Sequence, residues 1–541
     1  MTFSKWFMGL AATSALAVGC GDAGTDKDEA PFTSDQATLL TFEFDAELVT
    51  DNPWSASQII NDQLLYTIGH LNGSNGVGRL DRLVLSSIKK TPDASGMTKI
   101  TYHAVLPVGW GSKTNLPTSY EFTLPKRIDG TGLAAFTQKY EHSCVDFGAH
   151  DVDSGSMWYY FRPHRSGCSL AQEDVVKTTA AVTVSAENTK GKYPEYHKVW
   201  EDGALTVVAI FGKYEDGATT SADAGVAGYN RFTQEIRSVL GSTTTTTPAS
   251  LPSDPGVAFP DVTFDAKLAD GRKVQVVALL VDNVRTAGPA FDQRYESLSG
   301  NADLIFYNGH AGLGQNVRAL ANKGEFLPGK YQIFFMNGCD TFAYVDGSLA
   351  QTRAQLNPDD PTGTKYMEIV TNLMPSFFSS MPYASMALIN GLLGYDAPQT
   401  YEQIFQDIDK SEVVVVTGEE DNVFQPGMQP PPDGGGWEGM KESGSVGKDE
   451  QVFFETPELP AGSYEIAISE DPSQPGGDAD LYVGLGKVPT KTSYDYRPYK
   501  NGSNEKVTFE LTKPTQVEIM VHGYEKMSAP KAAFLVTGRA L

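Results

Sequence analysis

The stretch that decides the fold runs from Ala302 to Tyr344: ADLIFYNGHAGLG (302–314), a polar, glycine-bearing interval, then GKYQIFFMNGCDTFAY (329–344). Leu304–Tyr307 and Tyr331–Met336 are short apolar runs with the aromatic and β-branched content of buried strands. Each ends in an Asn-Gly pair, Asn308-Gly309 and Asn337-Gly338, which breaks a strand and turns the backbone sharply. His310 follows one break and Cys339 the other. In an open α/β sheet, reacting groups gather just outside the carboxyl ends of adjacent strands. A histidine and a cysteine delivered there by two successive strands form a constellation for nucleophilic catalysis by a thiol.

The residues on either side extend the same grammar. Upstream lie a continuous apolar strand, Leu205–Phe211, and a helix over Ala224–Leu240 built on Tyr229, Phe232, Ile236 and Leu240. Ser242–Pro255, rich in Thr and Pro, reads as a surface loop, Val274–Val281 as a buried strand and Phe291–Leu298 as a short helix. Downstream, Tyr366–Met381 and Tyr401–Ile408 read as helices and Glu412–Thr417 as a last strand. This alternation predicts a mostly parallel sheet covered on both faces.

Further upstream, Thr38–Val49, Leu80–Lys90, Thr98–Pro107 and Ser119–Leu124 read as strands, with helices over Ser55–Leu71 and Leu133–His142. That is an α+β region to which no chemistry attaches. Its densest cluster is His142, Cys144, His150, Asp151, Asp153, His164 and Cys168. These are zinc-ligand types, but no compact spacing joins them, and a Cys144–Cys168 disulfide is the plainer expectation. The metal alternative stays open.

The first twenty residues look like an address: Lys5, an apolar run from Phe7 to Gly19, then Cys20. The run is too short to span a membrane, and Leu16–Cys20 resembles a bacterial lipoprotein cleavage box with Ala17 where Leu is usual. Lipidation at Cys20 and a flexible tether after it are expected, with attachment to the cell envelope or release outside. With Cys20 lipidated and Cys144 bonded to Cys168, Cys339 is left without a partner.

With 541 residues, several domains are expected. The balance of 42 basic against 67 acidic residues, net −25, argues against nucleic-acid binding. It is compatible with basic substrates or bound Ca²⁺, and selects neither.

From Lys448 onward, short alternating strands recur at regular spacing: Val452–Glu455, Gly462–Ile468, Ala479–Val483, Val507–Leu511, Gln516–His522 and Ala532–Thr537. This is the pattern of a β-sandwich. The string GDADLYVGLGKVPTKTSYDYRPYKNGSNEKVTF (477–509), with VEIMVHGYEKMSAPKAAFLVTG (517–538), resembles the bacterial pre-peptidase C-terminal domain. That resemblance implies the company of secreted peptidases. Tyr482, Tyr494, Tyr496, Tyr499 and Tyr524 are candidates for an adhesive face or for sheet packing, and Asp478 and Asp480 for Ca²⁺ or a turn cap.

The order strand–His310–Ala311–Gly312, then strand–Gly338–Cys339, resembles the caspase-like cysteine peptidases of the clostripain and gingipain type. The resemblance covers about 205–424. It implies a secreted cysteine endopeptidase with Cys339 as nucleophile and His310 as acid–base partner. It also implies an oxyanion hole from the N–H groups of Cys339 and of Ala311 or Gly312. The family has Gly directly after the histidine, where this chain has Ala311, so the donor survives only if the backbone there avoids positive φ. Asp340, which would raise the thiol pKa if turned inward, is expected to face away. Asp346, Glu419, Glu420 and Asp421 are candidate walls for a basic substrate residue.

The layout expected is therefore a lipoprotein-type leader (1–20), a tether (21–35), an N-terminal α+β domain (36–200) and a caspase-like α/β domain (203–424). A Pro/Gly linker (425–447) and a C-terminal all-β sandwich (448–541) complete it. The implied activity is peptide-bond hydrolysis of protein or peptide substrates, with no cofactor required, Ca²⁺ an option, and the membrane reached only through the N-terminal lipid. A catalytically inactive caspase-like surface protein that binds protein or polysaccharide is the alternative.

Overall fold

The computed structural model describes residues 31–541 except 346, 420–421, 429–436, 438, 460–461, 472–475, 512–514, 525, 528 and 541. The leader, Cys20 and most of the tether therefore lie outside the described residues, as do Asp346, Glu420 and Asp421. Among the described residues no helix is long and apolar enough to cross a membrane.

The N-terminal region is an antiparallel sheet under helices. Its strands are β1 (Thr38–Thr50), β2 (Gly76–Gly78), β3 (Val84–Pro92), β4 (Thr98–Trp110), β5 (Ser119–Pro125) and β6 (Val175–Val184), in the order β2-β4-β1-β6-β5 with β3 also on β4. Leu40, Phe42, Phe44, Ala46 and Leu48 recur at period two on β1, so one face is apolar and buried. The expected helix over Ser55–Leu71 arrives as two segments meeting at Leu65, α1 (Ala56–Leu64) and α2 (Tyr66–Asn72). Together with α3 (Gly130–Tyr140), they cover that apolar face. Asp129 caps α3 by accepting from the Gly132 N–H at 2.8 Å. The single turn α4 (Met157–Tyr160) lies inside the loop closed by the Cys144–Cys168 disulfide.

After the short helix α5 (Tyr196–Val199) comes the central sheet. It is built from β7 (Ala204–Gly212), β8 (Thr245–Thr247), β9 (Asp261–Lys267), β10 (Lys273–Val281), β11 (Leu304–Asn308), β12 (Gln332–Asn337), β13 (Met367–Asn372) and β14 (Val414–Gly418). The order is β14-β13-β12-β11-β7-β10-β9-β8. The five strands from β13 to β10 are parallel, and the flanking pairs are antiparallel. Every residue of β11, β12 and β13 is buried, which is why these runs carry no polar alternation.

One face packs on α6 (Ala224–Leu240), α10 (Met381–Leu393) and α11 (Tyr401–Phe405). The other packs on α7 (Pro289–Ser299) and α8 (Gln315–Lys323), with α9 (Ser348–Leu356) beyond them. This second apolar cluster runs without a break into the core of the N-terminal sheet.

Three expectations need correction here. Tyr366–Met381 is not a helix. It contains β13, because Ile369, Val370 and Thr371 are β-branched and both faces of the strand are covered. The Thr/Pro loop contributes β8, held by backbone pairing to β9. The polar interval before β12 is α8, which buries Val317, Leu320 and Ala321.

The amino end of this sheet is fastened by buried charge. Asp303 accepts from Lys330 Nζ at 2.5 Å and from the Thr206 N–H at 2.7 Å. Glu368 meets Lys192 Nζ at 3.0 Å and accepts from the Tyr331 and Tyr401 hydroxyls. Glu419, expected as a substrate wall, is buried near Lys198 at this same end.

The C-terminal region pairs two antiparallel sheets over one apolar cluster. The strands are β15 (Met440–Gly447), β16 (Gln451–Leu459), β17 (Gly462–Glu470), β18 (Ala479–Leu485), β19 (Glu505–Leu511), β20 (Thr515–Gly523) and β21 (Lys531–Ala540). The orders are β15-β21-β17-β19 and β16-β20-β18. β15, which lies within the expected linker, is the strand that the sequence pattern missed, because only Val446 on it is buried. The molecule is thus multidomain and strand-rich.

Candidate functional site

β11 and β12 run side by side in register, Asn308 opposite Asn337, so His310 and Cys339 leave the sheet at neighbouring strand ends. The two asparagines are part of the framework. Asn337 donates to Asn308 Oδ1 at 2.8 Å, Asn308 donates to Ser385 Oγ at 2.9 Å, and Ser376 Oγ donates to Asn337 Oδ1 at 2.7 Å. Their conformation-breaking role is thus joined to a buried polar network that ties the strand ends to α10.

His310 is exposed, and its Nε2–H donates to the Tyr214 carbonyl at 3.1 Å. Its ring packs with Tyr214 and Phe378 at centroid distances of 5.2 and 5.0 Å. The His310 carbonyl accepts from Tyr307 Oη and Asn316 Nδ2, both at 2.9 Å, which fixes the turn. Ala311 keeps negative φ and is buried, while Gly312, Leu313 and Gly314 all take positive φ.

Cys339 is half-buried and outside any disulfide, and its thiol donates to the Ser376 carbonyl at 3.7 Å. Burial pushes the thiol up, and Asp340 beside it adds to the push, to about 12. Asp340 does not face away as expected. It is fully buried with φ +52°, and its carboxyl points into the contact with the N-terminal domain, where Asn72 Nδ2 donates to Oδ1 at 2.7 Å. Arg162 donates to Asn72 Oδ1 at 2.6 Å, and Tyr159 lies against both Asp340 and Cys339. Tyr159, Arg162 and Asn72 carried no signal in the sequence, because they reach the strand ends from a different domain.

The disulfide joins Cys144 to Cys168, with Cα atoms 4.6 Å apart, so neither thiol is free for metal. His164 packs edge-on against buried His70 at 4.7 Å. Among the described residues no group of three or more His, Cys, Asp or Glu side chains is arranged to hold a metal ion. In the C-terminal sandwich, Asp478 accepts from the Gly502 N–H at 2.9 Å and Asp480 from Arg497 at 3.2 Å. The Arg497 guanidinium lies between the Tyr482 and Tyr499 rings, at 4.6 and 3.8 Å, and the Tyr494 and Tyr499 hydroxyls meet at 2.6 Å. Tyr482 is buried, whereas Tyr499 stands 64% exposed.

No family model matches the chain. It is 37% identical over 81 residues to the virulence metalloprotease of Vibrio anguillarum, which covers 15% of this chain and 13% of that protein. It is 33% identical over 103 residues to alkaline serine exoprotease A of Vibrio alginolyticus, 19% of each. The chain thus spans less than a fifth of either relative's length. Among solved structures it is similar to the pre-peptidase C-terminal domain of collagenase from Bacillus anthracis, at 15% identity and a TM-score of 0.15, covering 18% of this chain and 88% of that one.

These findings correct the expectation of a cysteine endopeptidase. The proteases that share sequence with this chain are named for metal and serine chemistry, and neither is named a cysteine peptidase. The geometry agrees: His310 and Cys339 each bond a backbone carbonyl rather than each other. A thiol held near 12 supplies little thiolate at neutral pH, and thiolate is the nucleophile such a reaction needs.

Proposed function

We propose that this chain is an exported hydrolase of the extracellular protease group, acting on protein substrates, with its C-terminal sandwich as an accessory module. One observation carries this reading. The chain shares sequence with both a metalloprotease and a serine protease. Metal-assisted hydrolysis and acyl transfer to serine need different residues in different places. Stretches common to both classes therefore serve what the two have in common, namely export and work on protein, rather than either chemistry. The exposed Tyr499 platform around Arg497 gives the sandwich an aromatic surface suited to polypeptide. The likeness of the central domain to the caspase-like group is kept as a likeness of chain order, without thiol chemistry. Cys20 is proposed as the lipid-bearing residue, which metabolic labelling with palmitate in cells would show and Cys20→Ala would abolish.

The test is release of acid-soluble peptides from denatured casein by the full chain. The reading expects release that iodoacetamide and Cys339→Ser leave unchanged. Absence of peptide release from casein and from insoluble protein alike would overturn it.

A further inference from the structure

We propose that Asp340 is a protonation-dependent latch between the N-terminal domain and the carboxyl end of the central sheet, tight when its carboxyl is neutral and loosened when it is ionised. Asp340 follows Cys339 at the end of β12 and is sealed completely from solvent. Its Oδ1 accepts one amide hydrogen bond from Asn72, the Tyr159 hydroxyl stands beside the carboxyl as a second donor, and Oδ2 is buried without a hydrogen-bond partner. The cation behind it does not touch it. Arg162 reaches Asn72 instead through Nη2, gives Nη1 to the Gly69 and Tyr159 carbonyls at 2.7 and 3.0 Å, and turns Nε to the Asp146 carboxylate at 3.4 Å.

The groups that face the carboxyl are Arg162, Tyr159 and Asp146 from the N-terminal domain, with Cys339 and Tyr344 from the central one. Asp146 repels it, and the Tyr344 hydroxyl is itself buried without a partner. A carboxylate in such a place has only neutral donors and one oxygen without a partner, whereas a carboxylic acid needs less to hold it.

Burial pushes the carboxyl up, against the pull of Arg162, to about 7. The direction of the switch follows. A carboxyl raised above its ordinary value binds its proton more tightly in the closed contact than in the open one. Closure is therefore at full strength below the ordinary carboxylate range and weakens as pH rises through about 7. The surrounding interface is apolar, with Phe342, Leu373 and Met374 of the central domain packed on Leu39 and Val77, so it does not titrate. What loosens is the disulfide-closed lobe, 144–168, which carries Tyr159 and Arg162 over the strand end.

The experiment is amide hydrogen exchange of the full chain between pH 5.5 and 8.5, read by mass spectrometry and corrected for the intrinsic exchange rate at each pH. Peptides from 144–168 should lose about tenfold in protection across that range in the wild type. Peptides from α6 should not change. Asp340→Asn, an amide with the acid's shape and tolerance of left-handed backbone, should abolish the loss. Asp340→Gly keeps the positive φ and removes the carboxyl, and it serves if the asparagine variant fails to fold. Flat protection in the wild type, or the same loss in a folded position-340 variant, would overturn the proposal.

Discussion

Asp303 and Asp340 are both fully buried, one at the amino end of the central sheet and the other just past its carboxyl end. At the amino end both carboxyl oxygens have donors, and one donor is the Lys330 ammonium at 2.5 Å. Burial works against that ammonium, but Asp303 and Glu201 outweigh it and hold Lys330 above its ordinary value. Burial also pushes Asp303 up, against the pull of Lys330, to about 7, with the ammonium held in contact with it. At the carboxyl end the nearest cation is one residue removed and one oxygen is bare. The contrast separates two uses of a buried acid. One fastens strands β7, β11 and β12 through an ammonium in direct contact; the other joins two domains through a neutral amide, with no cation touching it.

The comparison breaks most sharply at Lys330. Lys330→Met leaves Asp303 buried without its cation and should cost about 4 kcal/mol, measured by urea unfolding at pH 7. A cost under about 1 kcal/mol would show that Asp303 is neutral there and that the two ends do not differ. A smaller loss, about 3 kcal/mol, is expected when Cys144→Ala and Cys168→Ala together open the lobe that carries Arg162. That loss should come with faster proteolysis between 144 and 168 in a native digest. The smallest effect sharpens the contrast from the other side. Asp340→Asn should raise stability more at pH 8.5 than at pH 5, by at least about 1.4 kcal/mol, because the penalty of the ionised carboxyl is gone. Equal effects at the two pH values would place the titration elsewhere.

Much of this architecture was legible in the residues. Leu205–Phe211, Val274–Val281 and Leu304–Tyr307 stand within a residue or two of the observed strands, and Ala224–Leu240 matches α6 end to end. Such elements announce themselves by their own composition and period. The elements that were misread carry mixed signals. β13 is buried on both faces and mixes Glu368, Thr371 and Asn372 with its apolar residues, so it shows no strand period, while β15 and β8 are short of apolar residues and depend on partners for their pairing. The site was half legible. Asn308-Gly309 and Asn337-Gly338 do bring His310 and Cys339 to adjacent strand ends. The bonding of both and the protonation of Cys339, however, are set by Ser376, Tyr214, Asp340 and Tyr159, and of these only Asp340 lies near either motif in the chain. Local spacing reports where a side chain leaves the backbone, and long-range burial decides what it can do there.

The start of the described chain has a consequence for assembly. Thr33 forms an antiparallel bridge with Val416, and Ser34 Oγ donates to the Val414 carbonyl across 380 residues of sequence. Those bonds shield the outer edge of β14 from pairing with another molecule. The edge can be shielded only after the chain has been made as far as residue 418. A nascent polypeptide stalled before that point, or cut near residue 35, would present an unpaired margin and tend to aggregate.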